Sequence, residues 1–331
     1  MDLTKLDKIL EKEPAFRKNQ ASGAIFQKFV ESWQDVKTLP LDLRGILDKE
    51  CSLRINVQAT VSQDERTVKA LITLGDGLKV ETVLMRHNDD RNTICVSSQV
   101  GCPLGCSFCA TGKLGFKRNL TSMEIVEQVL FFARYLKTKE AKITNVVFMG
   151  MGEPFLNYDN VLGAIKILND EDKFGLGARH FSISTVGIIE GIKKLAGEKL
   201  QVNLAVSLHA PNDELRSKIM PVNKKYPLRD ILAAVDSYIK ETNRKVMIEY
   251  VMIEGVNDSD KCAKELAAIT RKPLHFVNLI SYNPTGIFKA SDSERIKCFR
   301  KILEDRGVEV TQRYKFGSGI KAACGQLAGK Q

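Results

Sequence analysis

From Thr93 onward, short apolar runs alternate with amphipathic stretches, and this rhythm constrains the fold more than any other feature of the chain. The apolar runs lie at 94–98, 143–149, 180–184, 202–207, 246–251 and 275–280. Stretches such as 122–135 and 228–239 carry apolar residues at helical spacing between them. Strands that alternate with crossover helices pair in parallel, so the rhythm predicts an α/β fold with a parallel sheet or barrel. Six strand–helix units fall short of the eight in a closed barrel. A further strand at 308–313 and a Gly-rich tail follow.

The first part of the chain has a different texture. Leu3, Leu6 and Leu10, then Ile25, Phe26, Phe29, Val30 and Trp33, recur at helical spacing. From 53 to 85 the period changes to two, with Ile55-Val57, Val68-Ala70-Ile72 and Val80-Thr82-Leu84 separated by turns at 62–65 and 75–77. That pattern predicts a small antiparallel sheet. The division expected is a helical accessory domain at 1–52, an antiparallel β extension at 53–92 and the strand–helix region at 93–331.

Charge is distributed unevenly across this division. Residues 1–92 hold 15 Lys and Arg against 15 Asp and Glu, so the net charge of +10 lies in residues 93–331. A basic surface of this kind suits a polyanionic partner such as nucleic acid. Hydrophobic residues at 44% and charged residues at 27% exclude a disordered or collagen-like chain. No uncharged apolar run reaches the ~18 residues of a spanning helix. The charged start, Met1-Asp2-Leu3-Thr4-Lys5, lacks the apolar core of a signal peptide, so a cytoplasmic protein is expected.

Eight cysteines in such a chain point to metal binding or catalysis rather than to a disulfide framework. Cys102, Cys106 and Cys109 stand in the order C-x₃-C-x₂-C, just after the first strand of the rhythm. Three thiolates do not close a structural zinc site, which takes four ligands. They can hold three irons of a 4Fe–4S cluster and leave the fourth open to a ligand. Zinc with a distant fourth ligand, or three buried thiols, stays open at this point. The second strand ends in Gly150-Met151-Gly152-Glu153-Pro154, a turn whose glycines allow close approach of a ligand to the backbone. Ser184, Ser207-Leu208-His209 and Asn283 follow later strands and complete a ring of strand ends. His87, His180 and His275 lack ligand spacing, and Cys51, Cys262 and Cys298 read as structural.

With Phe108 before its last cysteine, C-x₃-C-x₂-C resembles the signature of the radical S-adenosylmethionine (SAM) enzymes. The resemblance implies a partial (β/α)₆ radical SAM barrel, here with a small N-terminal helical accessory domain and a β-hairpin extension. It implies a 4Fe–4S cluster on Cys102, Cys106 and Cys109. It also implies SAM contacts from Gly152, Glu153, Ser184, Ser207, Leu208, His209 and Asn283. From about residue 81 to 327 the chain is similar, more closely, to the dual-specificity ribosomal and transfer RNA adenine methyltransferases. The motifs include Cys95-Val96-Ser97-Ser98-Gln99, Leu156-Asn157-Tyr158, Met220-Pro221-Val222-Asn223 and Ala323-Cys324-Gly325-Gln326-Leu327. That family implies methylation of adenine carbon 2 in 23S rRNA and in tRNA beside the anticodon. Two SAM molecules are consumed per turnover. Cys324 carries the methyl group, Cys95 resolves the RNA adduct through a transient disulfide, and Glu81 is the general base. The expected partners are the two RNAs and a flavodoxin-like one-electron reductant protein, with the enzyme a monomer and no membrane involved. Two departures stand out: the interval from Glu81 to Cys95 is one residue longer than in the family, and Lys321 occupies an otherwise acidic stretch. The alternatives are a carbon-8 adenine 23S rRNA methyltransferase of the antibiotic-resistance type, or a non-enzymatic metal-binding RNA-binding protein.

Overall fold

The computed structural model of the chain describes residues 1, 3–313 and 316–329. Three helices come first: α1 (Leu3–Leu10), α2 (Ala15–Phe26) and α3 (Leu41–Glu50). They close around Trp33, which is fully buried and donates its indole N–H to the Cys51 carbonyl at 2.8 Å. Their apolar residues belong to the same contiguous core as the strands that follow. Arg134 helps to join the two parts, donating to Val30 O at 2.7 Å and to Leu53 O at 3.0 Å.

Strands β1 (Asn56–Val61), β2 (Thr67–Thr73) and β3 (Lys79–Arg86) form an antiparallel meander. β3 then pairs antiparallel with β4 (Asn92–Val96), Val83 facing Cys95. The antiparallel sheet expected from the alternation is therefore continuous with the parallel region, and β3 is buried on both faces.

A short ribbon, β5 (Gln99–Gly101) with β6 (Phe116–Asn119), brackets the cysteine loop. Gly101 adopts φ +77, and a Cβ there would come within 1.9 Å of Gly115 O, so only glycine fits this irregular pairing. The parallel region continues with α4 (Ser122–Lys137), β7 (Asn145–Phe148), α5 (Tyr158–Asn169), β8 (Phe181–Thr185), α6 (Ile189–Ala196) and β9 (Asn203–Ser207). It ends with α7 (Asp213–Ile219), α8 (Leu228–Thr242), β10 (Val246–Met252), α9 (Asp260–Thr270), β11 (His275–Ser281), α10 (Ser293–Glu304) and β12 (Val310–Gln312).

β4, β7, β8, β9, β10, β11 and β12 lie side by side in that order, all parallel. Each expected strand is present, and β12 adds a seventh parallel strand. β1 and β12 stand at opposite edges, so the barrel stays open. Strands such as Val246–Met252 are nearly all apolar because helices cover the outer face and packed side chains the inner one. Side-chain caps fix where several rim loops end. Thr121 and Glu124 form a capping box on α4, and Asn212, Ser259 and Asp292 each accept a backbone N–H from the first turn of α7, α9 and α10. Among the described residues, no helix is long and apolar enough to cross a membrane.

Candidate active site at the C-terminal ends of the strands

The C-terminal ends of the parallel strands converge on one cavity, lined among others by Phe148, Ser184, Ser207, Glu249, Ser281 and Arg313. Cys102, Cys106 and Cys109 lie in its wall. Their loop is held from several sides. Cys102 N donates to Gly115 O at 3.0 Å, Ser107 N to Ile219 O at 3.0 Å and Cys109 N to Cys106 O at 3.1 Å. Burial pushes the Cys102 thiol up to about 12 and raises Cys106 further, with neighbouring Cys109 acting in the same direction on both. Such thiols stay protonated until a cation replaces the protons. Among the described residues, no three or more His, Cys, Asp or Glu side chains are gathered around the position of a single metal ion. In a 4Fe–4S cluster each cysteine ligates a different iron, so three thiols spread along one wall suit a cluster better than a lone zinc.

The glycine turn lies beside this wall, where Ser98 N donates to Met151 O at 2.8 Å. Gly152 has φ +100, and a Cβ there would meet Gln99 at 2.6 Å, so the turn packs directly on the strand that leads into the cysteine loop. Glu153 lines the cavity and is almost wholly buried. Its carboxylate accepts from Phe155 N at 3.0 Å and Val186 N at 2.9 Å, while its own amide donates to Gln99 Oε1 at 2.9 Å. Ser184 Oγ and Ser207 Oγ lie 3.3 Å apart. The Leu208 side chain is fully buried outside the cavity lining, which leaves only its backbone to serve a ligand. His209 lines the cavity with φ +58 and accepts the Val251 N–H on Nδ1 at 3.1 Å, so its proton sits on Nε2. Burial pushes this imidazole down to about 3, keeping it neutral. Its ring meets Phe108 edge-on at 5.1 Å, fastening the cysteine loop to the end of β9. Asn283 donates to Cys324 O at 3.3 Å.

Two further residues complete the floor, neither singled out by sequence. Glu249 on β10 accepts from Ser184 Oγ at 2.5 Å and from Ser207 Oγ at 3.2 Å, and its buried Oε1 has no hydrogen-bond partner. Arg313, just after β12, places Nη1 3.5 Å from that Oε1 and 3.1 Å from Met149 Sδ. Its charge is favoured by Cys324 first and Glu249 second. The readable signal for Glu249 was a lone acid inside the apolar run 246–252. Arg313 had no comparable signal.

Cys95 and Cys324 line a second, smaller cavity together with Arg313, Met149 and Asn283. It shares Cys324 with the main one. The tail that bears Cys324 is tied to the cysteine loop, since Ala110 N donates to Gly325 O at 2.7 Å and Thr111 Oγ1 to Leu327 O at 2.6 Å. Glu81 lines neither cavity. Its Oε1 pairs with Lys69 Nζ at 2.9 Å, and its Oε2 accepts from Ala328 N at 2.6 Å and Gly329 N at 3.1 Å. Cys51 and Cys262 are buried, whereas Cys298, expected to be structural, is exposed. Lys321 is exposed at φ +52.

Residues 96–266 match the Radical SAM superfamily. A curated relative from Dictyoglomus turgidum, named as a probable dual-specificity RNA methyltransferase RlmN, is 46% identical over 318 residues, covering 95% of this chain and 91% of its own. The chain belongs to this family of radical SAM RNA methyltransferases. A Nitrosopumilus maritimus member, named ribosomal RNA large subunit methyltransferase N, is 45% identical over 323 residues, covering 94% of this chain and 92% of its own. A radical SAM methyltransferase from Sphaerobacter thermophilus superposes with a TM-score of 0.94 at 43% identity, over 100% of this chain and 98% of that one. The partial α/β barrel is therefore the fold of the family, the protein is a SAM-dependent RNA methyltransferase, and the superfamily implies a 4Fe–4S cluster and SAM.

Burial pushes Glu153 up to about 7. The resemblance implies that Glu153 receives the amino group of SAM, and an ammonium bound there would favour the charged carboxylate, linking binding to deprotonation. SAM affinity is expected to weaken by up to about tenfold per pH unit as pH falls below that value. Glu153→Gln should bind weakly at every pH. Equilibrium dialysis across neutrality checks this, and a flat wild-type profile would remove Glu153 from the ammonium site.

Proposed function

We propose that the protein methylates carbon 2 of adenosine in 23S rRNA and of the adenosine beside the tRNA anticodon. The observation that carries this reading is the pair of free thiols, Cys95 and Cys324, lining one small cavity beside the cysteine-rich wall of a larger one. Carbon 2 of adenine lies between two ring nitrogens and is too electron-poor to attack a methyl donor as a nucleophile. A carbon radical can add to it. When bound, the cluster and two SAM molecules per turnover supply a methyl group and a 5′-deoxyadenosyl radical.

Cys102, Cys106 and Cys109 hold the cluster, and the rim from Gly152 and Glu153 round to Asn283 orients SAM. Cys324 carries the methyl group on sulfur, loses one hydrogen atom from it and adds its thiomethylene radical to the base. Glu81 takes the proton from carbon 2, and the odd electron left on the adduct would pass back to the oxidised cluster held by Cys102, Cys106 and Cys109, so that the ring regains its aromaticity. Cys95, as a thiolate, attacks the Cys324 sulfur and breaks its bond to the methylene carbon; that carbon takes up a proton to become the methyl group, which frees the methylated RNA and leaves a disulfide for cellular thiols to reduce. The +10 charge of residues 93–331 suits an RNA backbone. A flavodoxin-like protein delivers the electron, and the enzyme acts as a cytoplasmic monomer. Support for the substrate comes from the relatives' names and for the thiol chemistry from the geometry.

Mass spectrometry of nucleosides from rRNA and tRNA, with and without the gene, tests this. Both RNA pools should lose 2-methyladenosine when the gene is removed. An 8-methyladenosine product would replace this reading with the carbon-8 one.

A further inference from the structure

Arg216 on α7 is completely buried. Its five N–H groups are all used. Nε donates to Leu208 O at 3.1 Å, Nη1 to Asn223 Oδ1 at 2.9 Å and Tyr226 O at 3.2 Å, and Nη2 to Val186 O at 2.5 Å and Ser207 O at 3.3 Å. Every acceptor is neutral. Buried guanidinium groups are ordinarily matched by a carboxylate, because burying a charge without a counter-charge is costly. Carbonyl dipoles solvate this one but leave its charge uncancelled. The two carboxylates on the same helix are engaged elsewhere: Glu214 pairs with Lys218 at the surface at 2.7 Å, and Asp213 accepts Leu228 N at 2.8 Å.

The missing counter-charge lies across an apolar layer. Cys106 packs in one cluster with Ala210, Ile219 and Met220, so the medium between the cysteine loop and α7 is dry. Ser107 fastens that loop to the same helix, through its N–H at 3.0 Å and its hydroxyl at 3.3 Å, both to Ile219 O. Met220, which packs in the cluster with Cys106, donates its N–H to Arg216 O at 2.7 Å, so the arginine lies one helical turn from the residues on which the cysteine rests. In a dry interior a charge acts over a longer range than in water. Arg216 does not line the main cavity, so it is placed to act on the cysteine loop rather than on SAM.

We propose that Arg216 is a fixed counter-charge to the iron–sulfur cluster, raising its reduction potential toward the reach of the physiological donor. This rests on the reading that Cys102, Cys106 and Cys109 hold the cluster. Reduction moves one electron from the donor to the cluster, whose charge becomes more negative by one unit. A fixed buried cation separated from the cluster only by apolar side chains favours that product over the oxidised form. A purely structural Arg216, stitching the β8, β9 and α7 loops together, would alter thermal stability and leave the potential unmoved.

The test is a dithionite titration of the anaerobic, reconstituted full-length protein, followed by electron paramagnetic resonance, with iron content and thermal midpoint measured in parallel. Arg216→Met removes the charge. Asn223→Asp is nearly isosteric and sets a carboxylate against Nη1, cancelling the charge while keeping all five acceptors of Arg216, at the cost of the Asn223 N–H bonds to Asp213 O and Ser217 Oγ, so it serves if Arg216→Met does not fold. Both are expected to carry wild-type iron and to show a more negative midpoint potential, whereas Arg216→Lys stays near wild type. A cluster-loaded Asn223→Asp protein with the wild-type potential overturns the proposal, whatever its thermal midpoint. A wild-type protein that holds no 4Fe–4S cluster overturns the underlying reading, and this inference with it.

Discussion

Replacing Cys95 with alanine is expected to halt the enzyme after it has joined itself to RNA, not before. In the proposed reaction the joining atom belongs to Cys324, which lines both cavities, whereas Cys95, on β4, lines only the smaller one. Losing Cys95 leaves the cysteine loop, the glycine turn and Cys324 in place. It removes only the second sulfur. Cys95→Ala should accumulate a protein–RNA adduct that survives denaturing gels, disappears with RNase and requires SAM. The Cys95→Ala/Cys324→Ala double variant should form none. Normal turnover by Cys95→Ala, or a crosslink in the double variant, would mean that these roles are wrongly assigned. The wild type should show a related pH effect. Burial and the neighbouring Cys324 push the Cys95 thiol up to about 12, with Arg313 pulling the other way. Only the thiolate attacks, and its fraction falls about tenfold for each pH unit below that value. Release of adduct should therefore quicken as pH rises, most steeply while the tail stays closed over Cys95.

Whatever depends on neighbours in sequence was readable before the structure. The three cysteines of the loop fall within eight residues, and a ligand spacing survives any fold that keeps the loop together. The strand rhythm placed Glu153, Ser184, Ser207 and Asn283 at one rim because parallel strands carry their C-terminal ends to one side. What depends on distant neighbours was not readable. Glu249 reads as an interruption of a strand until Ser184 and Ser207 are seen to donate to it. Arg216 stands in Asp213-Glu214-Leu215-Arg216-Ser217-Lys218, which has the texture of a solvated helix face, yet the loops after β8 and β9 fold over it. β5 and β6 are too short to display a period, and only the approach of Gly101 to Gly115 O marks them. The alternation in 53–85 predicts an antiparallel sheet but not its burial: β3 pairs on both edges and is covered on both faces, so Glu81 and Thr82 are buried alike.

The burial of Glu81 shapes the second large effect. Its two oxygens are committed in this closed arrangement, one to Lys69 and the other to the amides of Ala328 and Gly329, on the tail that carries Cys324. A base so engaged cannot reach carbon 2, so its exposure and the release of the tail become one event. Glutamine keeps an acceptor for the two amides but gives up the ion pair with Lys69 together with the capacity to take a proton. Glu81→Gln should fold, hold iron and bind SAM as the wild type does, while turnover falls by about 10²- to 10⁴-fold, the usual worth of a general base. The loss should fall after radical addition, so the variant should retain covalent RNA. With substrate deuterated at carbon 2, that adduct should keep its label, because no group is left to remove it. Single-turnover mass spectrometry reads both quantities. If label is lost at the wild-type rate, Glu81 is only the clamp that the hydrogen bonds to Ala328 and Gly329 describe, and the base must be sought among the groups lining the cavity, such as Glu249, whose Oε1 accepts no hydrogen bond but faces Arg313 at 3.5 Å.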